Sequence, residues 1–453
     1  MATGGYARRL MGVAAAWVAL AGCGLNVERH YQRIRPALVR NDALAALAAL
    51  EQTQGRFYGE NSRLLFLMDR AMVQYMAGSF VASNQTIDEA KDLAQALWTQ
   101  SISKTAQSWV GTDNQLPYQG EDFERVMLHL LAALNYLSQG QPHEARVEAR
   151  QWVSRLELYN RSYDDHPNRY ADDAFARWLA GRLRVEDDEP GAANDAWIDL
   201  KRSLVLYRRR AAQGGLDGVP QLAVADAARV LDHLGGDLAE EKQALRAAFG
   251  ARAEMAARPR GWGSIALVHL AGEAPFKVDD TLQIFTGRGV LRIAVPRFVV
   301  RPQVRAAAVI SAPDAGVWAR AETMQDVAQV AVDNLEDHLQ RIRARAVARA
   351  LSKHAAGIAV GEVGRRQGGT SGGLMELGGL LWNLGHAVAE EADKRSWITL
   401  PARIDACSMD LPAGRHTIHV ALGGGSVGAP GGFTREVEVR AGATTFLSFR
   451  TLP

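Results

Sequence analysis

The chain has 453 residues, 47% hydrophobic and 23% charged, with a formal net charge of +2, and that is enough apolar material for two or more folded domains. Losing an N-terminal segment that holds Arg8 and Arg9 would leave the body formally neutral, so electrostatics give no case for a nucleic-acid partner. With only Cys23 and Cys407 present, a disulfide framework is excluded.

Arg8 and Arg9 precede an uncharged run from Leu10 to Leu20, and Leu20-Ala21-Gly22-Cys23 closes it in the form of a bacterial lipobox. The run has the length of a secretory signal and is too short to span a bilayer. Its resemblance to lipoprotein signals implies that residues 1–22 are removed, and that Cys23 is acylated and becomes the membrane-anchored N-terminus. Gly24 stands where inner-membrane retention commonly uses an acidic residue, so in a diderm envelope the outer membrane, facing the periplasm, is expected.

Residues 23–258 read as helices, with apolar positions at helical spacing broken by turn-rich stretches such as 111–117. Ala71, Gly78, Ser83, Ile87 and Ala90 follow a series of small residue, turn, small, bulky, small. Ala133, Gly140, Ala145, Ala149 and Trp152 follow nearly the same series, and Gly181, Ala193, Trp197 and Leu200 form a third copy with Asp188 in place of the turn glycine. That grammar suits paired helices that approach closely at small side chains, as in tetratricopeptide-type arrays. The copies start about 62 and 48 residues apart rather than 34, so the repeats are irregular.

Three further stretches carry a family resemblance. Tyr118 to Arg125 with Ala133 to Gly140 and Ala145 to Arg150, then Gly272 to Lys277, then Arg395 to Pro401 together resemble motifs of a widespread family of bacterial lipoproteins with tetratricopeptide-like repeats and no assigned biochemical function. The resemblance implies a place and an architecture, and no reaction. Glu121, Arg125 and His129 fall one turn apart on one helix face, with Glu121 and Arg125 at pairing distance. They are candidates either for lining a partner-binding groove or for tying a loop to a helix.

After Arg258-Pro259-Arg260-Gly261 the periodicity shortens, and 262–453 reads as a β-rich, sandwich-like module. Strands are expected at 265–270, 290–295, 304–310, 398–407, 416–422, 435–439 and 444–449. Pro412-Ala413-Gly414 and Ala441-Gly442 read as hairpin turns. A helical insertion is expected over about 322–395, as one helix from Glu322 to Ala356 and another from Gly373 to Arg395, joined by the glycine-rich 361–373. The first helix carries Asp333, Asp337, Arg341, Arg345, Arg349 and Lys353 at four-residue spacing, either a solvated stripe or a basic tip for anionic headgroups. Gly378, Gly379 and Gly385 in the second suit close helix packing. The fold class is therefore α+β and multidomain, a tetratricopeptide-like helical array followed by the β-module.

Two Gly-x-Ser-x-Gly matches, around Ser371 and Ser426, lack the strand-turn-helix context that a nucleophile needs, and the glycines at 423, 425 and 428 lack the helix on which a dinucleotide would rest. Asp164-Asp165-His166 runs straight into Pro167 and reads as a helix start. His416 and His419 point to opposite faces of a strand, and Cys407, among apolar neighbours, reads as a buried small hydrophobe. No catalytic, cofactor or metal site is expected. The expected role is a non-enzymatic envelope scaffold for protein partners, held to the membrane through Cys23. The alternatives are a cell-wall or glycan binder that stacks sugars on Trp262, Trp318 or Trp397, and a serine hydrolase.

Overall fold

The computed structural model describes residues 27–103, 116–162, 170–185, 189–235, 238–254, 258–286, 289–302, 307–340, 342–344, 346–347, 392–423 and 432–452. Cys23, Asp164 to His166, Arg341, Arg345, Arg349, Lys353, Ser371, Ser426 and the second expected helix up to residue 391 lie outside the described residues. Helices fill the first half and strands most of the second. Among the described residues no helix is long and apolar enough to cross a membrane.

The helices are α1 (Val27–Val39), α2 (Ala43–Thr53), α3 (Arg63–Met76), α4 (Phe80–Ser103), α5 (Asp122–Ser138), α6 (Pro142–Arg161), α7 (Ala174–Arg184), α8 (Ala192–Ala212), α9 (Gln221–Leu234) and α10 (Ala239–Phe249). Local chemistry sets their ends. Asp42 accepts the Ala45 amide at 3.0 Å and Asp173 that of Ala176 at 2.7 Å, each satisfying a free donor at a helix start. Gly78 and Gly140, both at φ +71°, close α3 and α5, a left-handed geometry that most side chains resist.

Successive helices pack in pairs, α3 on α4, α5 on α6 and α7 on α8. Ser83 donates to the Ala71 carbonyl at 2.8 Å across the first pair, and Ser203 to that of Ala174 at 2.7 Å across the third. In the third pair the residue buried against Gly181 is Ala196, and the expected Ala193 is only half-buried. The pairs make two rows. On the inner row, α5 is buried from Asp122 through Asn135 and α7 from Ala174 to Leu183 with the exception of Arg177. On the outer row, α4, α6 and α8 turn polar faces outward.

The strands are β1 (Trp262–Ala271), β2 (Phe276–Thr286), β3 (Gly289–Val299), β4 (Ala308–Ala312), β5 (Val317–Arg320), β6 (Glu322–Asp326), β7 (Arg403–Pro412), β8 (Gly414–Leu422), β9 (Phe433–Val439) and β10 (Thr444–Thr451). One sheet runs β10-β1-β7-β6, a second β5-β4-β8-β9, and β2 pairs with β3 alone. β1 runs parallel to β10, with Ser264 opposite Thr444, and antiparallel to β7, with Leu267 opposite Cys407. Strand alternation sorts the first sheet's side chains onto two cores. Val268, Leu270, Ile404 and Ala406 join the helices, while Ile265, Leu267, Cys407, Met409, Leu411 and Leu447 join Ile310, Ile418, Val420 and Val437 of the second sheet.

The first sheet lies across the inner helices and bonds to them in turn. Tyr75 of α3 donates to Ser448 at 2.8 Å, Arg182 of α7 to Thr444 at 2.8 Å, and Arg229 of α9 to Asp410 at 2.9 Å. Glu322 accepts the first two amides of α9, from Gln221 and Leu222, at 2.7 and 2.5 Å.

Several sequence expectations change here. Pro412-Ala413-Gly414 and Ala441-Gly442 do not close hairpins: β7 and β8 lie in different sheets, as do β9 and β10, so both turns carry the chain from one sheet to the other. The stretch 398–402 is turn, and the strand starts at Arg403. Glu322–Asp326 is strand β6, because it pairs with Arg403 to Ala406; helix α11 starts at residue 327, and the described residues 327–340, 342–344 and 346–347 are helical. Asp333 on that helix is buried in an ion pair with Arg210 at 2.5 Å rather than sitting on a solvated stripe. Ala392 to Arg395 carry no helix.

Candidate functional site

The three stretches that carry the family resemblance come together at one seam between helices and strands. Glu121 stands just before α5, and its amide donates to Glu124 at 2.9 Å, which fixes the first turn. Glu124 also accepts the Tyr118 hydroxyl and, at 2.6 Å, the backbone amide of Trp397. Trp397 is 1% exposed, and its indole N–H donates to Thr399 Oγ1 at 2.9 Å. Thr399 donates to Asp69 Oδ1 at 2.7 Å, Tyr58 donates to Asp69 Oδ2 at 2.8 Å, and His30 Nε2 lies 2.8 Å from the Tyr58 hydroxyl. A chain of polar groups thus runs from α1 through α3 to the loop before β7.

The charges at the seam meet either an opposite charge or neutral hydrogen-bonding groups. Lys277, buried on β2, donates to Glu121 and lies 5.4 Å from the Phe298 ring centroid. Burial alone would raise the Glu121 carboxyl, but the Lys277 ammonium outweighs it and holds the group below the usual carboxylate range. Burial pushes Glu124 up and takes Asp69 to about 7 despite its bonds to Thr399 and Tyr58. Arg395 donates to the carbonyls of Asn61 and Leu116 at 2.9 and 3.0 Å, and the buried Arg450 to those of Leu270 and Leu400 at 3.1 and 3.0 Å. Glu273, two residues past β1, accepts from Tyr31 and Arg35 at 2.8 and 2.5 Å.

Arg125 and His129 are interior. Arg125 pairs with Asp122 and sits 4.2 Å over the Tyr159 ring, and His129 Nδ1 is 2.6 Å from Glu148, which also accepts Lys91 at 2.9 Å. The Glu121 partner comes from a strand, whereas Arg125 and His129 tie α5 to its own first turn and to α6. In this arrangement the three do not line an open groove.

No family model matches the chain, and no curated protein does.

The remaining sequence candidates are scattered. Cys407 is buried in the core between the sheets, and burial raises its thiol to about 12, far from the range of a nucleophile. His416 faces inward and bonds to Asp314 at 2.7 Å and to the Pro412 carbonyl at 2.8 Å, while His419 lies on the other face. Trp397, sealed in the seam, offers no face to a sugar; Trp262 is half-buried, and Trp318 is 68% exposed. Two concavities among the described residues mix charged and apolar groups. A groove of about 350 Å³ between α9 and α10 is lined by Asp232, Lys242, Leu245 and Arg246, and a cavity of about 60 Å³ is lined by Asp173, Tyr207 and Gln325.

Asp69, Arg450 and His30 were not singled out from sequence. Asp69 had a signal: it is the lone acid inside the apolar run from Leu64 to Val73. Arg450 and His30 carry none, because the carbonyls that Arg450 meets are 180 and 50 residues away and the Tyr58 that His30 meets is 28 residues on.

Proposed function

We propose that the chain is a lipid-anchored bacterial envelope protein that works without catalysis, as a scaffold for protein partners. In this reading Cys23 carries the lipid, the helix pairs form a tetratricopeptide-like array, and the two four-stranded sheets form a sandwich-like module fastened to it. Arrays of this kind usually take extended peptides along the inner row. Here the chain's own sheet lies on that row, so partners would meet the outer one. The observation that carries the reading is on α8: Ile198 and Val205, two turns apart, are 56% and 52% exposed, with exposed Lys201, Arg202 and Arg208 beside them. Apolar groups with a basic margin fit a partner of matching apolar face and acidic rim.

A photo-crosslinker placed at Arg209 in intact cells should capture discrete proteins, and Ile198→Asp with Val205→Asp should abolish the capture. Undiminished capture by that double variant would overturn the outer-row reading.

A second reading has its own support. Cross-strand pairing places Trp318, Ser311, His419 and Thr434 in one row across β5, β4, β8 and β9, on the face away from the core. An exposed indole beside hydroxyl and imidazole hydrogen-bonding groups suits a saccharide. Pelleting of the mature protein with insoluble cell wall, lost on Trp318→Ala, would favour this reading over the scaffold.

A further inference from the structure

Given the acylation of Cys23 proposed above, anchor and body lie close together. Only residues 24–26 separate Cys23 from Val27, where α1 begins. Fully extended, the four steps reach about 14 Å. Acyl chains seated in a bilayer therefore keep the start of α1 at the headgroup layer.

Helix α1 is fixed to the body, so the anchor sets the body's orientation. On its inner side Tyr31 and Arg35 donate to Glu273 at 2.8 and 2.5 Å, and His30 lies 2.8 Å from the Tyr58 hydroxyl. Its outer side repeats at helical spacing, with Arg33, Pro36, Val39 and Arg40 exposed; no acidic residue occurs from His30 to Arg40, Glu28 precedes that stretch, and the exposed Asp42 follows it with its carboxylate on the Ala45 amide. Val39 is 42% exposed and Leu44, at the start of α2, is 72% exposed.

Local backbone geometry adds to this face at the end nearest the anchor. A π-helical turn, Gln54–Tyr58, closes α2 and sets Phe57, half-buried, beside two guanidinium groups. Arg33 lies 4.9 Å and Arg56 5.8 Å from its ring centroid. Glu51, the exposed acid on α2, is engaged by Arg70 at 3.4 Å, and Glu60 is the other exposed acid near the turn.

We propose that this face lies flat against an anionic bilayer. Arg33, Arg40 and Arg56 bond to lipid phosphates, for which the planar guanidinium is well shaped, while Val39, Leu44 and Phe57 enter the interface. The lipid then does more than tether: together with this face it holds the whole body at one angle to the membrane.

The test uses the full-length acylated protein in vesicles of phosphatidylcholine alone and of phosphatidylcholine mixed with phosphatidylglycerol, with amide hydrogen exchange read by mass spectrometry. Exchange across 40–44 and 54–60 should slow by about tenfold in the anionic vesicles relative to the neutral ones. The triple variant Arg33→Glu, Arg40→Glu, Arg56→Glu should remove the difference, and Lys201→Glu with Arg209→Glu on α8 should leave it in place. Equal exchange in both vesicles, in protein whose mass confirms acylation, refutes the docking and leaves the anchor standing. A mature chain whose mass shows no acyl group refutes the anchor and this proposal with it. Loss of the difference in the α8 variant would mean that bulk charge alone produces it, and would also refute the docking.

Discussion

Gly181 offers a direct measure of how closely the third helix pair is packed. A Cβ built there would lie 2.8 Å from Leu200 Cγ, 3.0 Å from the Ala196 carbonyl oxygen and 3.2 Å from Leu200 Cδ2. The leucine could turn aside, but the carbonyl belongs to α8 and moves only with that helix. Replacing a glycine by alanine inside a helix ordinarily gains about 1 kcal/mol. Overpacking of a closed core costs about 1 to 3 kcal/mol, so Gly181→Ala should be neutral to destabilising by about 2 kcal/mol and Gly181→Leu worse. Denaturant midpoints of the mature chain would report both. The decisive arm is the double variant: Leu200→Ala alone should cost about 2 to 5 kcal/mol, and at least about 1 kcal/mol less in the Gly181→Ala background, where the new methyl fills part of the gap. A stabilising Gly181→Ala that adds simply to Leu200→Ala would show that α7 and α8 do not touch as described.

Asp69, with its carboxyl near 7 against an ordinary 3.8, should make a contribution to stability that is fully present below about pH 4 and is lost as pH rises through 7, a swing of about 4 kcal/mol. His30, pushed down to about 4, acts the opposite way: its contribution is present above 6.5 and is lost as pH falls through 4. The two oppose each other between about pH 4 and 6.5, so Asp69→Asn should expose the His30 effect, and stability should fall more steeply on acidification than in the parent. Urea midpoints at a series of pH values that run parallel for the two proteins would contradict this. Lys277→Met leaves the Glu121 carboxylate without its ammonium and should cost about 3 to 5 kcal/mol, most of it recovered when Glu121→Gln is added; a double variant as unstable as the single would count against the pair. Cys23→Ser should abolish incorporation of labelled acyl chains, and persistent labelling would place the lipid elsewhere.

How much of this was legible in the sequence depends on how local each signal is. Ala71, Ser83, Ile87 and Ala90 are buried at the spacing their pattern demands, and Gly78 and Gly140 take the left-handed turns their positions imply. Strand β2 was missed because Asp279, Asp280 and Thr281 break its apolar alternation, and it is held by pairing with β3 along its length. β6 was missed because Glu322 to Asp326 reads like the polar first turn of the helix after it; only its partner β7, some 80 residues on, makes it a strand. The two turns that read as hairpins have ordinary turn chemistry, and nothing local says which sheet the next strand will join. The seam was visible only as three separate motifs. That Glu124 meets Trp397 and Lys277 meets Glu121 is a property of the assembled fold, as is the burial of Arg125 and His129.

The strand order has a consequence for the order of events during folding. Each inner helix leaves the ribosome before the sheet that will cover it, and β1 precedes both of its neighbours, β7 starting at Arg403 and β10 at Thr444. Pairings between segments so far apart in sequence are slow to form. Until they form, the apolar side of α3, α5, α7 and α9 has no cover, and an intermediate of that kind invites aggregation or a holding chaperone. The eight residues of β10, made after the other strands of its sheet, complete it beside β1. The sheet that covers the inner helices is therefore completed about 180 residues after it is begun, and deletion of Thr444–Thr451 should reopen that vulnerability.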